Sequence, residues 1–319
     1  MPSIVVLDGH TLNPGDLNWA PLQELGPTTI FDYSAEGEII ERCFSADVII
    51  ANKAPITSEI IAALPNLKYI GVSATGYNNI DLEAARQRQI PVCNAVGYST
   101  RSVAQHVFAL LLALTNQPDQ HHESVVRGDW AAQQHFMYTL GSIPELAGKT
   151  MGIYGLGRIG QQVAQIAQAF GMQVIATHKH PERDAIPGVQ FVDLPTLFQQ
   201  SDVISLHAPL TQENRGIVNR ALLQTMQPTA YLINTGRGPL IVENDLQEAL
   251  EKGWLAGAGL DVLSNEPPVP NHPLYAAPNL LITPHMAWAT RASRQRLLDQ
   301  TVANLQAFLE GTPRNNVAF

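Results

Sequence analysis

Lys149-Thr-Met-Gly-Ile-Tyr-Gly-Leu-Gly-Arg-Ile-Gly160 is the segment whose reading decides the fold. It holds the pattern G-x-G-x-x-G at Gly155, Gly157 and Gly160. The apolar run Met151–Tyr154 leads into it. Ile159, Val163, Ile166 and Phe170 follow it at steps of 4, 3 and 4, one apolar stripe of a helix. Strand, glycine turn and helix form the context in which this pattern binds a dinucleotide. Gly155 permits the tight turn, Gly157 lets the backbone approach a diphosphate, and Gly160 lets the helix pack against the strand. The free amides and partial positive charge of the helix start then face the phosphates. A glycine turn without a ligand is the bland alternative, and both correct flanks count against it.

Outward from this unit, short apolar runs alternate with helix-length segments. Strands are expected at Ile4–Leu7, Val48–Ala51, Tyr69–Val72, Pro91–Cys93, Met151–Tyr154, Gln173–Thr177, Gln190–Val192, Val203–Leu206, Tyr231–Asn234, Gly257–Val262 and Leu280–Thr283. Many are apolar without alternation, the mark of parallel strands covered on both faces. Val103, Val107, Leu110, Leu111 and Leu114 form one helical stripe. Leu298, Val302, Leu305 and Leu309 form another, stopped by Gly311 and Pro313. The βα repeats predict an α/β chain with open parallel sheets, two of them. Ser45–Pro55 and Ser201–Pro209 echo each other, as two similar βα domains would.

Composition narrows the function. The chain has 319 residues, with 19 Lys+Arg against 28 Asp+Glu, a net charge of −9. An acidic chain without a basic run is a poor nucleic-acid or membrane-surface binder. With 45% apolar residues it has ample core material and is neither disordered nor fibrous. Its longest apolar run, Val107–Leu114, falls far short of the roughly 20 residues that span a bilayer. The first residues read as a strand, not a signal peptide. Two cysteines, Cys43 and Cys93, make neither a disulfide framework nor a metal site and suit the cytoplasm. No catalytic metal is indicated. His121 and His122 are adjacent, so they do not share a helix face.

The strand Gln173–Thr177 should end on the residue that meets the adenosine ribose, where an Asp or Glu selects NAD. This chain has His178-Lys179-His180 there, with Arg183 close by. Positive groups suit a 2′-phosphate, which tilts the expectation from NAD towards NADP, although Lys179 is also readable as a solvated loop charge. Asp184 lies too far along the sequence to be the first choice for the ribose.

Ligands of open α/β sheets sit beyond the carboxyl ends of the strands. Arg237 follows Tyr231–Asn234, Asp261 and Glu266 lie at and beyond the end of Gly257–Val262, and His285 follows Leu280–Thr283. Singly each has a bland reading: a surface ion-pair residue, a solvated charge, a structural histidine. Jointly, after a dinucleotide fingerprint, they suit hydride transfer to a carbonyl beside a carboxylate. A guanidinium grips a carboxylate at two points. A histidine moves a proton near neutral pH. A carboxylate on its other nitrogen orients the ring.

These motifs resemble the D-isomer-specific 2-hydroxyacid dehydrogenase family over nearly the whole chain. The likeness rests on GLGRIG at 155–160, SDVISLHAPLT at 201–211, INTGRGPL at 233–240, GAGLDVLSNEPP at 257–268 and TPHMAWAT at 283–290. Val72–Asp81 and the Trp288 segment are most similar to the glycerate dehydrogenase, or hydroxypyruvate reductase, branch. The resemblance implies a Rossmann nucleotide domain at 101–287, inserted in a flavodoxin-like substrate domain at 1–100 that 288–319 completes. It implies that Arg237 binds substrate, that His285 is the acid–base and that Glu266 is its partner. Ala74, Thr75 and Gly76 would offer the substrate carboxylate their amides. Arg158 and Ile159 would lie on the cofactor phosphates, Thr235 and Gly236 would line the cofactor, Asp261 would hold the nicotinamide amide, and Val103 would pack on its ring. His178 departs from the Asp of NAD-preferring members. A homodimer through the nucleotide domains is implied, with 101–145 at the contact.

The expected reaction is reversible reduction of hydroxypyruvate to D-glycerate and of glyoxylate to glycolate. Another 2-oxoacid, phosphorylated or branched, is the runner-up. A phosphorylated substrate would want more basic residues near the pocket; Lys53 and Arg101 are available, and neither is diagnostic. Formate oxidation fits less well, since that branch carries Gln where Glu266 stands. A cofactor-sensing regulator on the same fold is the alternative of another class.

Overall fold

Twelve strands, all paired in parallel, build two sheets in a computed structural model that describes residues 1–319. The strands are β1 Ile4–Val6, β2 Thr28–Ile30, β3 Val48–Ala51, β4 Tyr69–Val72, β5 Val92–Cys93, β6 Thr150–Tyr154, β7 Gln173–Thr177, β8 Val189–Phe191, β9 Val203–Leu206, β10 Tyr231–Asn234, β11 Gly257–Leu260 and β12 Leu280–Ile282. The chain divides into two compact units: Met1–Ser99 with Trp288–Phe319, and Thr100–Ala287.

In the first unit the strand order is β2-β1-β3-β4-β5, the doubly wound flavodoxin arrangement. Strands β1, β3 and β4 are buried along their full length, as continuous apolar runs between two helical layers require. One layer packs Ile39, Ile60, Ile61 and Leu64 against the sheet. The other brings Leu305, Val302 and Phe308 of the helix Arg291–Leu309 against Ile4, Val48 and Tyr69. That helix starts at Thr290, whose hydroxyl accepts from the Ser293 amide. Strand β2 is the one strand without an expectation behind it. Thr28-Thr-Ile30 is three residues long at a sheet edge, half-buried to exposed, too short and polar to show as a buried run.

In the second unit the order is β12-β11-β10-β9-β6-β7-β8. The chain winds outward from β6 through β7 to β8, then returns to β9 on the other side of β6 and winds to β12. The reversal between β6 and β9 is the switch point where open sheets bind ligands. Met151, Ile153, Val163, Ala164 and Ala167 form one core with Val107, Leu110 and Leu111 of the helix Thr100–Asn116. On the other side Phe198, Leu232, Leu246 and Leu260 form a second. Segment 127–149 contains neither helix nor strand. Trp130, Phe136, Met137, Leu140 and Ile143 are exposed along it. No helix of the chain is long and apolar enough to cross a membrane.

Candidate active site

The glycine turn sits at the carboxyl end of β6. Gly155 has φ +98°, a conformation that disfavours a side chain, and a Cβ there would lie 2.5 Å from the Ala208 amide nitrogen at the end of β9. The two strand ends at the switch point thus touch through bare backbone. At Gly160 a Cβ would lie 2.3 Å from the Gly155 carbonyl oxygen, so the helix Arg158–Ala169 closes onto the turn only without one. Gly157 differs. It caps this helix without any side-chain bond, and a Cβ on it would meet nothing within 4 Å. An uncapped helix start over open space is what a diphosphate needs. Two buried polar atoms nearby lack a protein partner: Thr235 Oγ1 beyond β10 and His207 Nδ1 beyond β9. The residues at this sheet edge fit a dinucleotide. Ile159 is half-buried and Arg158 exposed at the helix start, and Val103 is buried in the helix Thr100–Asn116.

His207 was not singled out in the sequence. Its Nε2 shares a hydrogen bond with Ser205 Oγ at 2.8 Å, while Nδ1 is sealed from solvent. Desolvation pushes its pKa down to about 3, so the ring is neutral. The signal was the polar Ser205-x-His207 alternation at the end of an otherwise apolar strand.

The end of β7 shows how residues 178–184 are tied together. His178 Nδ1 accepts from the Leu156 amide of the glycine turn at 3.1 Å, and Nε2 lies 2.6 Å from Asp184 Oδ2. Both ring nitrogens are engaged within the protein, so His178 is a strut between the turn and Asp184 rather than a free positive group. Asp184 is six residues away in sequence but adjacent in space, because the short helix Pro181–Asp184 turns back. Arg183 and His178 hold its carboxyl well below the usual range. A carboxylate therefore does lie beside the strand end, with Arg183 at 2.6 Å balancing it. Lys179 is exposed.

Three loops meet beyond β10, β11 and β12. Asn234, fully buried, holds the first: its Nδ2 donates to the Arg237 carbonyl and its Oδ1 accepts from the Gly236 amide. Arg237 is half-buried and donates to the Gly236 carbonyl. A Cβ on Gly238 would lie 2.0 Å from Leu263 C, so this turn presses directly on the second loop. There Glu243 accepts from the Ser264 amide at 2.7 Å and faces His272 Nε2 at 3.3 Å. Glu266 Oε1 accepts from the Leu263 amide at 3.0 Å. Its Oε2 lies 2.6 Å from His285 Nδ1 on the third loop. With Glu266 as an ionised acceptor, Nδ1 is the ring nitrogen that carries the proton of this contact. His285 has φ +53°, unusual for a non-glycine residue, and its amide donates to the Asp261 and Thr283 carbonyls. Such a conformation costs on the order of 1–2 kcal/mol and persists where neighbours fix it.

In the first unit Ala74, Thr75 and Gly76 follow β4. Thr75 Oγ1 donates to the Ala95 carbonyl at 2.9 Å, and Asn94 Nδ2 donates to the Thr75 carbonyl at 2.8 Å, which fixes the loop's course.

Residues 108–287 match the D-isomer specific 2-hydroxyacid dehydrogenase NAD binding domain. The chain belongs to the D-isomer-specific 2-hydroxyacid dehydrogenase family. It is a nicotinamide-dependent oxidoreductase of that family, with two parallel-sheet α/β domains. Among relatives of this family, a hydroxypyruvate reductase of Blautia hydrogenotrophica is 44% identical, over 98% of this chain and 99% of the relative. A glycerate dehydrogenase of Methylorubrum extorquens is 41% identical over 88% of each. Among solved structures, an acyclic imino acid reductase in complex with NADPH and D-Arg superposes with a TM-score of 0.87 at 34% identity, covering 99% of both chains. A Thermus thermophilus protein superposes at 0.86 with 36% identity, covering 98% of this chain and 99% of the other.

Proposed function

We propose that this dehydrogenase reduces hydroxypyruvate to D-glycerate and glyoxylate to glycolate, with NADPH favoured over NADH. The observation that carries the reading is the 2.6 Å contact of Glu266 with His285 Nδ1, on loops packed beside the Arg237 turn at the carboxyl edge of a dinucleotide sheet. The names of the two relatives point the same way.

A reduced nicotinamide, when bound, would supply the hydride. Arg237 binds the substrate carboxylate and draws charge towards the carbonyl oxygen, so the carbon accepts the hydride more readily. His285 gives its Nε2 proton to that oxygen as the C–O double bond becomes an alcohol, and takes it back in the reverse direction. Glu266 keeps the ring oriented and balances the positive charge of the protonated imidazole. Thr75 and Gly76 offer main-chain N–H groups to the substrate carboxylate. On the cofactor side Gly155, Gly157, Arg158, Ile159 and Gly160 would hold the phosphates, Thr235 and Gly236 would line the dinucleotide, and Val103 would pack on the nicotinamide. Three donors occupy the Asp261 carboxylate, which leaves about one of its roughly four acceptor positions for the carboxamide. Lys179 is the group for a 2′-phosphate. Residues 1–99 with 288–319 serve as substrate domain and 100–287 as cofactor domain. The exposed apolar side chains of segment 127–143 pair two copies into a dimer, and the free buried cysteines suit a reducing cytoplasm.

Oxidation of NADPH and of NADH, each with hydroxypyruvate, glyoxylate and pyruvate, tests the reading. Hydroxypyruvate with NADPH is expected to be fastest. His285→Gln is expected to lower turnover by about 10²–10⁴-fold, the usual worth of a positioned proton donor. Absence of turnover with all six pairs, or a fully active His285→Gln enzyme, overturns it.

A further inference from the structure

Asp261 does more around His285 than a single cofactor contact requires. Its main-chain carbonyl accepts from the His285 amide at 2.8 Å. Its Oδ1 accepts from the Met286 amide at 2.9 Å and its Oδ2 from the Ala287 amide at 2.8 Å. One residue, 1% exposed, thus fixes three consecutive amides in the turn that holds His285 at φ +53°. The carboxylate is steered in turn. The Thr283 hydroxyl donates to Asp261 Oδ1 at 2.6 Å. A hydroxyl has one proton to give, so at its other contact, His106 Nε2 at 2.9 Å, it accepts. His106 Nε2 therefore bears the proton and heads a directed chain: imidazole N–H to hydroxyl, hydroxyl to carboxylate, carboxylate to the loop of His285. His106 comes from the middle of the helix Thr100–Asn116, and its side chain is 15% exposed. It also lies 3.5 Å from Asp261 Oδ1, so it reinforces the same oxygen electrostatically.

We propose that His106 and Thr283 are positioning residues for the proton-transfer step, acting through Asp261 on the orientation of His285. This rests on the reading of His285 as the acid–base group and adds two side chains whose contacts here run to each other and to Asp261. Thr283→Val keeps the shape and removes the hydroxyl, which leaves the His106 proton and one Asp261 lone pair unmatched. Thr283→Ser restores the hydroxyl. Misplacement of a catalytic group by about an ångström costs up to about 10²-fold in rate. Thr283→Val and His106→Phe are expected to lower kcat on hydroxypyruvate roughly ten- to a hundredfold, with KM within about threefold of wild type. Thr283→Ser is expected to return kcat to within about twofold. A wild-type kcat for Thr283→Val, or an equal loss in Val and Ser, overturns the proposal.

A second measurement is independent of turnover. In protein labelled with ¹⁵N-histidine, His106 is expected to show a protonated Nε2, and the His285 ring signals to move in Thr283→Val but not in Thr283→Ser. An unprotonated Nε2 on His106, or an unmoved His285, refutes the relay. A wild-type protein that reduces no 2-oxoacid would refute the proposed function. The two NMR results would still decide the relay.

Discussion

Gly157 and Gly160 stand three residues apart in one motif, yet the structure assigns them separable costs. At Gly160 a methyl would sit 2.3 Å from the Gly155 carbonyl oxygen and 3.1 Å from Ile153 Cγ2. Since ordinary contacts begin near 3.4 Å, helix and turn would have to part by about an ångström. Overpacking of that kind costs about 1–3 kcal/mol, and the entropy gained by replacing a glycine returns about 0.4–1 of it. For a domain of this size that net loss lowers the melting temperature by several degrees, at about 2–4 °C per kcal/mol. Gly157 has φ −74° and ψ −166°, which alanine adopts freely, and open space around its Cβ position. Alanine is a poorer helix cap than glycine, which offsets the same entropy gain, so the free protein should melt within about 2 °C of wild type. The open space is where the backbone must approach the diphosphate. Gly157→Ala should therefore weaken NADPH and NADH at least about tenfold, or about 1.4 kcal/mol. Thermal melts of the free variants and fluorescence titration with both nucleotides separate the effects. Wild-type nucleotide affinity in Gly157→Ala, or a wild-type melt of Gly160→Ala, would refute the reasoning.

His207 and Asp8 give two further expectations. With the His207 pKa depressed to about 3 in the fold and near 6.5 in the unfolded chain, the unfolded state binds more protons between those values. Stability therefore rises with pH across that window and is lost as pH falls below about 6.5. Acidification from pH 7 to 5 should cost wild type up to about 2 kcal/mol from this residue, and urea denaturation of His207→Asn at both pH values should show the smaller difference. In the first unit the buried Asp8 carboxylate accepts from the amides of Asn52, Lys53 and Ala54. Asp8→Ala should destabilise by about 3–5 kcal/mol and Asp8→Asn by about 1–3, since the amide keeps one acceptor oxygen. Equal chemical-denaturation midpoints for the two variants would contradict this.

Much of the architecture was legible because buried parallel strands are apolar without interruption. The runs at 48–51, 151–154 and 203–206 stand out against their helical surroundings, and the glycine motif fixes where the second sheet begins. Strand β2 escaped because an edge strand of two threonines and an isoleucine has no covered face to betray it. Around the candidate site, Arg237, Glu266 and His285 were visible as charged residues just past strand ends. The side chains that arrange them were not. Glu243, His272 and His106 act through polar contacts between elements distant in sequence, and nothing local marks a histidine inside a helix as the partner of a threonine 177 residues later. The 178–184 loop is hidden for a related reason: six residues part Asp184 from His178 in sequence, and one short turn of helix brings the two side chains together.

The split composition of the first unit has a consequence for biosynthesis. Its sheet is complete by Cys93, but the helix that covers Ile4, Val48 and Tyr69 spans Arg291–Leu309. On a ribosome adding about 5–20 residues per second, roughly 200 residues must follow before that helix emerges, a delay of about 10–40 s. The unit Thr100–Ala287, drawn from one uninterrupted stretch, is free to fold meanwhile. For that interval the earlier strands carry an uncovered apolar face on the nascent chain. That is the period in which a holdase chaperone would have most to bind.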